Sequence, residues 1–231
     1  MTAPLSRRAL LSGGVLLGVT GWLGACTTPS STAPSSTTTA ETSTAESTSM
    51  RETSSLGLVL LAYFSRAGEN YYYYGGRRDL DVGNTEVLAR MIAELTEVDV
   101  HRIEATEPYP DSYDATVARN VTEQNDDARP GIANPLDSID GYPTVLLASP
   151  IWNVRAPMIM STFTDAYDFT GKTVLPIVTY AISGLGSVER DYAAACPGAR
   201  IRDGLAVRGE EVSQHGTHAE AWLQAAGLLT R

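Results

Sequence analysis

Two hydrophobic patterns alternate along the chain from Leu58 to its end. Short, nearly continuous apolar runs predict β-strands, and segments with apolar residues every three or four positions predict helices. The alternation of five strands with five helices predicts an α/β fold with an open parallel sheet. The predicted strands cover Leu58–Phe64, Val98–Ile103, Thr144–Ser149, Val174–Thr179 and Arg200–Val207. The predicted helices cover Asn84–Leu95, Ser112–Asp127, Ala156–Tyr167, Val188–Ala195 and Ala219–Ala226.

The candidate site lies in the loops that follow the strands, because ligands of parallel sheets bind beyond the carboxyl ends of the strands. Three of these loops are rich in aromatic, glycine and small polar residues, which are typical of cofactor sites. The candidate residues are Ser65, Arg66, Ala67, Gly83, Asn84 and Thr85 after the first strand, Pro150, Ile151, Trp152 and Asn153 after the third, and Thr179, Tyr180, Ala181, Ser183, Gly184 and Gly186 at the end of the fourth and beyond it.

The first of these loops has the chemistry of a phosphate site. Ser65 places a hydroxyl at the end of a buried strand, and Gly83 to Thr85 open a predicted helix. The first N–H groups of a helix have no intrahelical partners, and the helix dipole favours an anion there. The Gly-Lys-Ser/Thr motif of nucleotide P-loops is absent from the sequence, so a phosphorylated cofactor is favoured over a nucleoside triphosphate.

The N-terminal residues resemble an export signal. Arg7 and Arg8 form a twin-arginine pair, and the apolar run after them is shorter than the roughly 20 residues of a membrane span. Leu23 to Cys26 resembles a bacterial lipobox, which makes residues 1–26 a predicted signal peptide with Cys26 as the lipidated residue. The alternative is cleavage by an ordinary peptidase, with Cys26 incidental.

Composition changes sharply between the predicted signal and the predicted domain. Residues 27–55 are mostly Ser, Thr, Ala, Pro and Glu, which predicts a disordered tether before a single domain over 56–231. The formal net charge of −10 argues against nucleic acid as a partner. The acidity suits either docking to a basic partner or a surface that only keeps the protein soluble. His215 and His218 have no evident third ligand, so no metal site is predicted.

The ordered set of motifs resembles the flavodoxin family, and specifically members with an interrupted phosphate loop. The resemblance implies a three-layer sandwich, a five-stranded parallel sheet in the order 2-1-3-4-5, and FMN as cofactor. The similar segments are Ala62–Arg66, Gly83–Glu86, Glu107–Pro110, Pro150–Trp152, Ala156–Met158, Tyr167–Lys172, Ser183–Ser187 and Cys196–Ala199.

The same resemblance implies roles for the candidate residues. Ser65 and Gly83 to Thr85 would hold the FMN phosphate, and Pro150 to Asn153 would border the ring, with Trp152 as the candidate ring contact. Thr179 and the turn from Ser183 to Gly186 would border the ring from the other side. The alternative for Trp152 is a hydrophobic plug beneath the loop.

Several residues depart from the family pattern. An insert from Ala67 to Val82, which contains Tyr71–Tyr74, predicts a loop without regular structure that is either a lid over the flavin or a quinone, or a mobile surface loop. Asn153 stands where relatives often have Gly, and it tolerates left-handed geometry. Arg155 would either stabilise an anionic reduced flavin or pair with a surface carboxylate. Ala181 and Ile182 replace Gly or polar residues and could weaken FMN binding.

The resemblance leads us to expect an exported, lipid-anchored electron-transfer protein on the extracytoplasmic face of a bacterial membrane. Its expected partner is a redox protein or a quinone-like small molecule, and no side chain is predicted to be catalytic. One alternative is an FMN-dependent NAD(P)H:quinone-type oxidoreductase. The other is a flavodoxin-like lipoprotein that has lost FMN and binds another ligand.

Overall fold

The structure is a computed structural model that describes residues 58–229. The predicted signal peptide over 1–26, its lipidation site Cys26 and the predicted tether over 27–55 lie outside the described residues. The strands β1 to β8 cover Val59–Tyr63, Gly68–Tyr71, Arg77–Leu80, Asp99–Arg102, Thr144–Pro150, Thr173–Tyr180, Arg200–Ile201 and Leu205–Arg208. The helices α1 to α5 cover Asn84–Leu95, Tyr113–Asn125, Met158–Ala166, Val188–Ala195 and Gly216–Ala226, and a 3₁₀ helix covers Gly209–Gln214.

The central sheet is parallel and confirms the predicted strand order. Its strands run in the order β4-β1-β5-β6, and both β7 and β8 pair with the far edge of β6. Counted in chain order without the inserted hairpin, and with β7 and β8 taken as one strand, this is the order 2-1-3-4-5. The carboxyl ends of β1 and β5 therefore lie side by side at the switch point of the sheet, where ligands of such folds bind.

The prediction of one continuous fifth strand from Arg200 to Val207 is wrong, because the strand is interrupted at 202–204. Val174 pairs with Ile201 and Ile177 pairs with Leu205, so β6 has one residue fewer than its partner between these pairs. Pro176 lies in this interval and has no N–H to donate to a ladder. The segment from β7 to β8 has one residue more than β6 at this place, and the pairing is interrupted to accommodate it.

Helices cover both faces of the sheet. Alternate residues of β1 point to opposite faces, as the two-residue period of a strand requires. Leu60 and Ala62 pack in a core that includes Phe163 of α3, while Leu61 packs in a second core with Leu88 of α1 and with α5. The predicted three-layer sandwich is therefore confirmed. Within residues 58–229, no helix combines the length and the hydrophobicity that a membrane crossing requires.

The insert forms a β-hairpin, so the prediction of a loop without regular structure is wrong. Strands β2 and β3 pair in antiparallel fashion from Gly68 with Leu80 to Tyr71 with Arg77. The N–H of Glu69 also donates to the Asp111 carbonyl at 2.8 Å, which fixes the base of the hairpin to the loop before α2. The strands are mostly polar and lack the apolar alternation by which a hairpin is predicted from sequence.

Lys172, the only lysine of the sequence, is buried and caps the loop before β5. Its Nζ donates to the carbonyls of Ile139 at 2.9 Å and Tyr142 at 3.0 Å. We expect Lys172→Met to lower the free energy of unfolding by about 1–3 kcal/mol, because the substitution leaves these carbonyls without their donor. Urea denaturation of the wild type and the variant measures this difference. Equal unfolding free energies would contradict the role assigned to the amine.

Candidate functional site

One cavity of about 600 Å³ opens at the carboxyl ends of β1, β5 and β6. Its volume is in the range of small-molecule and cofactor sites. The walls come from the hairpin, α1, α2, the loops after β5 and β6, and the start of the 3₁₀ helix. The lining residues are Ser65, Arg66, Asn70, Tyr71, Asn84, Thr85, Tyr113, Thr116, Val117, Asn120, Val121, Pro150 to Val154, Thr179 to Ser183, Gly209 and Glu210.

The floor of the cavity is the contact between the end of β1 and the start of α1. Gly83 is the N-cap residue of α1 and has no side chain to cap the helix, but the Ser65 Oγ accepts a hydrogen bond from the Glu86 N–H at 3.1 Å. A Cβ on Gly83 would lie only 2.3 Å from the Ser65 Oγ, so only glycine permits this approach. The N–H groups of Asn84 and Thr85 have no acceptor among residues 58–229 and remain available to an anion.

Two predicted site residues on different strands meet at this floor. The Oγ1 atoms of Thr85 and Thr179 lie 2.7 Å apart, and both side chains are buried. The family resemblance assigns Thr85 to a phosphate and Thr179 to the ring side. The hydrogen bond joins these two regions and fixes the end of β6 against the N-terminus of α1.

Arg66 connects the floor to the hairpin and the loop before α2. Its Nη1 donates to the carbonyls of Pro110 at 2.8 Å and Asp111 at 3.0 Å, and its Nη2 donates to the carbonyl of Glu69. Burial lowers the pKa of its guanidinium. The Nε is buried without a partner among the described residues. Arg66 is therefore the cation of the cavity wall, and its Nε is an unused donor within residues 58–229.

The loop after β5 is a tight turn with strained backbone. Trp152 N–H donates to the Arg155 carbonyl at 2.9 Å, and the two residues between them have positive φ angles, 49° at Asn153 and 62° at Val154. Asn153 thus adopts the left-handed geometry that the sequence allows, while Val154 is β-branched and unfavourable there. The Asn153 Nδ2 donates to the Gln124 Oε1 at 2.9 Å, which ties the turn to α2.

Trp152 both lines the cavity and packs into an aromatic cluster. Its ring contacts Phe64 edge-on at 5.7 Å and Tyr109 at 5.1 Å between centroids. The Tyr109 hydroxyl donates to the Glu123 carboxylate at 2.8 Å, and burial together with this carboxylate raises the pKa of Tyr109. The Trp152 indole therefore does both things that the sequence suggested. One part of it packs beneath the loop as a hydrophobic plug, and another part lines the cavity.

Arg155 points away from the cavity. Its Nε lies 3.6 Å from the Asp191 carboxylate, and it does not line the cavity. This geometry supports the surface-pair interpretation of Arg155 over contact with a cofactor ring.

The turn of the hairpin contacts the 3₁₀ helix and the strand before it. The Tyr73 ring lies 3.9 Å from the Arg208 guanidinium, the Tyr73 N–H donates to the Glu210 carboxylate at 2.7 Å, and the Tyr74 hydroxyl donates to the Glu211 carboxylate at 2.6 Å. Hydrogen bonds from Tyr74 and His215 lower the pKa of Glu211. The contact with Tyr74 is therefore present above the usual pKa of Glu211 and is lost as the pH falls through the lowered value.

Sequence and structure comparisons identify the fold family. A family model described as flavodoxin matches residues 80–225, which is more than half of the chain. The chain belongs to the flavodoxin family. The matched segment begins at the end of the inserted hairpin and ends within α5.

Two solved structures resemble this flavodoxin-family chain over nearly their whole length. A protein from Bacteroides uniformis described as a flavoprotein is 26% identical, with a TM-score of 0.59 over 73% of this chain and 98% of its own. A protein from Bacteroides eggerthii with the same description is 24% identical, with a TM-score of 0.57 over 74% and 98%. A search of curated proteins finds no match.

Most of the predicted site residues line the cavity of this flavodoxin-family chain, but four do not. Ala67 lies at the start of the hairpin and does not line the cavity. Gly83 packs beneath Ser65 and Arg66. Gly184 stands in open space at positive φ, and Gly186 packs against the Val154 carbonyl. Gly184 and Gly186 therefore lie outside the lining of the cavity and shape the loop after β6.

The sequence analysis missed the wall formed by α2 and the hairpin. On α2, the lining residues Tyr113, Thr116, Val117, Asn120 and Val121 are spaced three and four apart, which places them on one helix face. That spacing was available in the sequence. It was not recognised because the face mixes hydroxyl, amide and apolar side chains, and so gives a weak hydrophobic pattern.

We expect Gly186→Ala to destabilise the protein more than Gly184→Ala. Both glycines have nearly equal positive φ angles, 55° and 56°, so both substitutions carry a backbone cost of about 1–2 kcal/mol. Only at Gly186 would the new Cβ collide, at 2.1 Å from the Val154 carbonyl oxygen. Urea denaturation of both variants isolates the collision from the backbone cost. Equal losses would contradict the close packing of the two loops.

Proposed function

We propose that this protein binds FMN noncovalently in the cavity and transfers electrons. The observation that carries the proposal is the floor of the cavity, where Ser65 caps α1 and the N–H groups of Asn84 and Thr85 have no acceptor in the part of the chain that the structure describes. Family membership and the flavoprotein description of the Bacteroides uniformis structure support the same function. FMN has three parts, a phosphate, a hydroxylated chain and a ring, and the residues that line the cavity fit each of them.

The residues at the floor fit a phosphate. Two backbone N–H groups, the Ser65 hydroxyl and the unused Nε of Arg66 are all donors, and the helix dipole of α1 adds positive potential. The insert replaces a continuous phosphate loop by two separated segments, Ser65–Arg66 and Gly83–Thr85. In this arrangement a phosphate would be held without lysine.

The remaining lining residues fit the chain and the ring. Among residues 58–229, the buried Oε2 of Glu210 has no hydrogen-bond partner, and a hydroxyl of the cofactor chain would give it a donor. Ile151, Trp152, Tyr180 and Ala181 supply apolar and aromatic surface for a ring. When bound, FMN supplies the redox chemistry, while the protein holds the cofactor, excludes water from one side and sets the local electrostatics.

We further propose that the domain is exported and lipid-anchored through Cys26 on the extracytoplasmic face of the membrane. The proposal rests on the order of Arg7-Arg8, short apolar run and Cys26 in the sequence. A twin-arginine route carries folded proteins, which suits a domain that takes up FMN before export. Detection of a lipid-modified Cys26 by mass spectrometry of the cell-derived protein tests this part separately.

The first test compares FMN with riboflavin, which lacks the phosphate. We expect the chain from Thr27 onward to bind FMN at least about tenfold more tightly than riboflavin, because the phosphate uses charge-assisted hydrogen bonds worth about 1.5–3 kcal/mol each. Quenching of flavin fluorescence during titration measures both affinities. Ser65→Ala should weaken FMN binding and leave riboflavin binding nearly unchanged. A folded protein that takes up no FMN, or that binds both flavins equally, would overturn the proposed site.

The second test concerns the hairpin. Replacing Tyr73 by Leu and Tyr74 by Phe removes the contacts with Arg208 and Glu211, so we expect FMN to dissociate about fivefold faster or more. Stopped-flow fluorescence of released FMN measures the rate. Tyr72→Phe is the matched control, since the Tyr72 hydroxyl makes no hydrogen bond within residues 58–229. An unchanged rate in the double variant would show that the hairpin does not retain the cofactor.

A further inference from the structure

A buried hydrogen-bond network lies behind the wall of the cavity. Tyr109 and Glu123 are 8% and 7% exposed, and neither residue lines the cavity. The Tyr109 hydroxyl donates to the Glu123 Oε2 at 2.8 Å, and the Glu123 Oε1 accepts from the Arg119 Nε at 2.6 Å. A phenol and a carboxylate within hydrogen-bond reach can exchange a proton directly, without passing it through water.

Trp152 connects this network to the cavity. Its ring lines the cavity on one side and lies 5.1 Å from the Tyr109 ring, between centroids, on the other. The Phe64 ring also contacts Trp152, at 5.7 Å, but a benzene ring is much harder to oxidise than a phenol. Among the described aromatic pairs of Trp152, Tyr109 is therefore the partner that can give up an electron.

The setting of Tyr109 differs from that of the other tyrosines. Within residues 58–229, the hydroxyls of Tyr74, Tyr109 and Tyr142 donate to carboxylates. Tyr74 is 61% exposed, the bond of Tyr142 is also exposed, and neither ring is paired with Trp152. Of these three, only Tyr109 combines a buried carboxylate partner with contact to the cavity wall. In the same part of the chain, no carboxylate acceptor is found for the tyrosines that line the cavity, Tyr71, Tyr113 and Tyr180.

Arg119 determines what an oxidised Tyr109 must do. Its guanidinium lies 3.9 Å from the centre of the Tyr109 ring and is held by the carbonyls of Glu107 at 2.9 Å and Pro108 at 3.1 Å. A fixed cation opposes a second positive charge on the ring, so an oxidised Tyr109 must release its proton. Burial and the bond to Glu123 raise the pKa of Tyr109, so the phenol keeps its proton at rest.

We propose that Tyr109 and Glu123 form a proton-coupled electron relay that reduces Trp152 after light-excited FMN has oxidised it, an inference that rests on the proposed FMN site. Trp152 loses one electron to the excited FMN. Tyr109 then gives one electron to Trp152, its O–H bond breaks, and the proton forms a new O–H bond with the Glu123 Oε2. Return of the electron from FMN to Tyr109, and of the proton from Glu123, closes the cycle without any other oxidant or reductant.

The relay protects the residue that borders the cofactor. Trp152 is half-buried and faces the cavity, whereas Tyr109 is buried behind it. Transfer of the oxidised site from Trp152 to Tyr109 removes it from contact with solvent and dissolved reactants. The indole that borders the proposed ring site is thereby restored.

The test applies a flash in the flavin absorption band to the FMN-loaded protein. Transient absorption should show a tryptophan radical that is replaced by a neutral tyrosyl radical, more slowly in D₂O because an O–H bond breaks in this step. Tyr109→Phe and Glu123→Gln should each lose the tyrosyl signal and leave the tryptophan radical longer-lived. Glu123→Gln keeps the shape and an oxygen acceptor, but its amide is not a base.

Tyr142→Phe is the matched control. The Tyr142 hydroxyl donates to the Asp99 carboxylate at 2.9 Å, and neither residue lines the cavity. This substitution removes a bond of the same type at a distance from Trp152, so both radical signals should be unchanged. FMN affinity, measured by flavin fluorescence, should be the same in the control and in the wild type.

The outcomes separate this inference from the proposed function. A colourless protein that takes up no FMN overturns the proposed function and the relay with it. A yellow protein that gives no tyrosyl signal, or forms it equally fast in water and D₂O, overturns the relay alone, and this measurement needs no variant. A tyrosyl signal that survives Tyr109→Phe assigns the radical to another tyrosine, and one that survives Glu123→Gln excludes the carboxylate as proton acceptor; either result overturns the relay.

Discussion

The site depends on one close contact, between the end of β1 and the start of α1. Ser65 can accept the hydrogen bond from Glu86 only because Gly83 has no Cβ, which would lie 2.3 Å from the Ser65 oxygen. The sixteen residues of the insert, 67–82, leave the sheet and return to the same point. The contact therefore supplies a cap for α1 from a residue that is distant in sequence. The N–H groups of Asn84 and Thr85, which precede Glu86, have no acceptor among residues 58–229.

The same contact explains why the insertion is tolerated. A hairpin that begins and ends at one point adds residues without separating β1 from α1. Its own core is too small for stability, since an isolated two-stranded hairpin is marginal in water. The structure supplies the missing stabilisation at two places. Glu69 and Arg77 fix the two strands to the start of α2, and Tyr73 and Tyr74 fix the turn to Arg208 and Glu211.

Sequence patterns predicted the parts of the fold that are governed by burial. The continuous apolar runs of β1, β5 and β6 follow from helices on both faces, and α1 begins at Asn84 as the Gly-Asn-Thr motif predicts. The break near Pro176 could not be predicted, because it depends on which strand pairs with β6. The hairpin and the α2 face were missed because polar contacts between distant segments, such as Arg77 with Asp114, have no local pattern.

The acidic composition does not conflict with the proposed phosphate site, because the hydrogen-bond donors at the floor of the cavity act locally. Backbone N–H groups and the Ser65 hydroxyl are dipoles at hydrogen-bond distance, whereas exposed carboxylates elsewhere are screened by salt over about 10 Å. Arg66 adds the one positive charge that lines the cavity, and its bonds to three carbonyls fix it in place. The other charged residue of the lining is Glu210, whose carboxylate accepts a hydrogen bond from the Tyr73 N–H, whereas the lining residues on α2 are uncharged. A ligand with one phosphate and one planar ring, as proposed here, would find hydrogen-bond donors at the start of α1 and uncharged surface along α2.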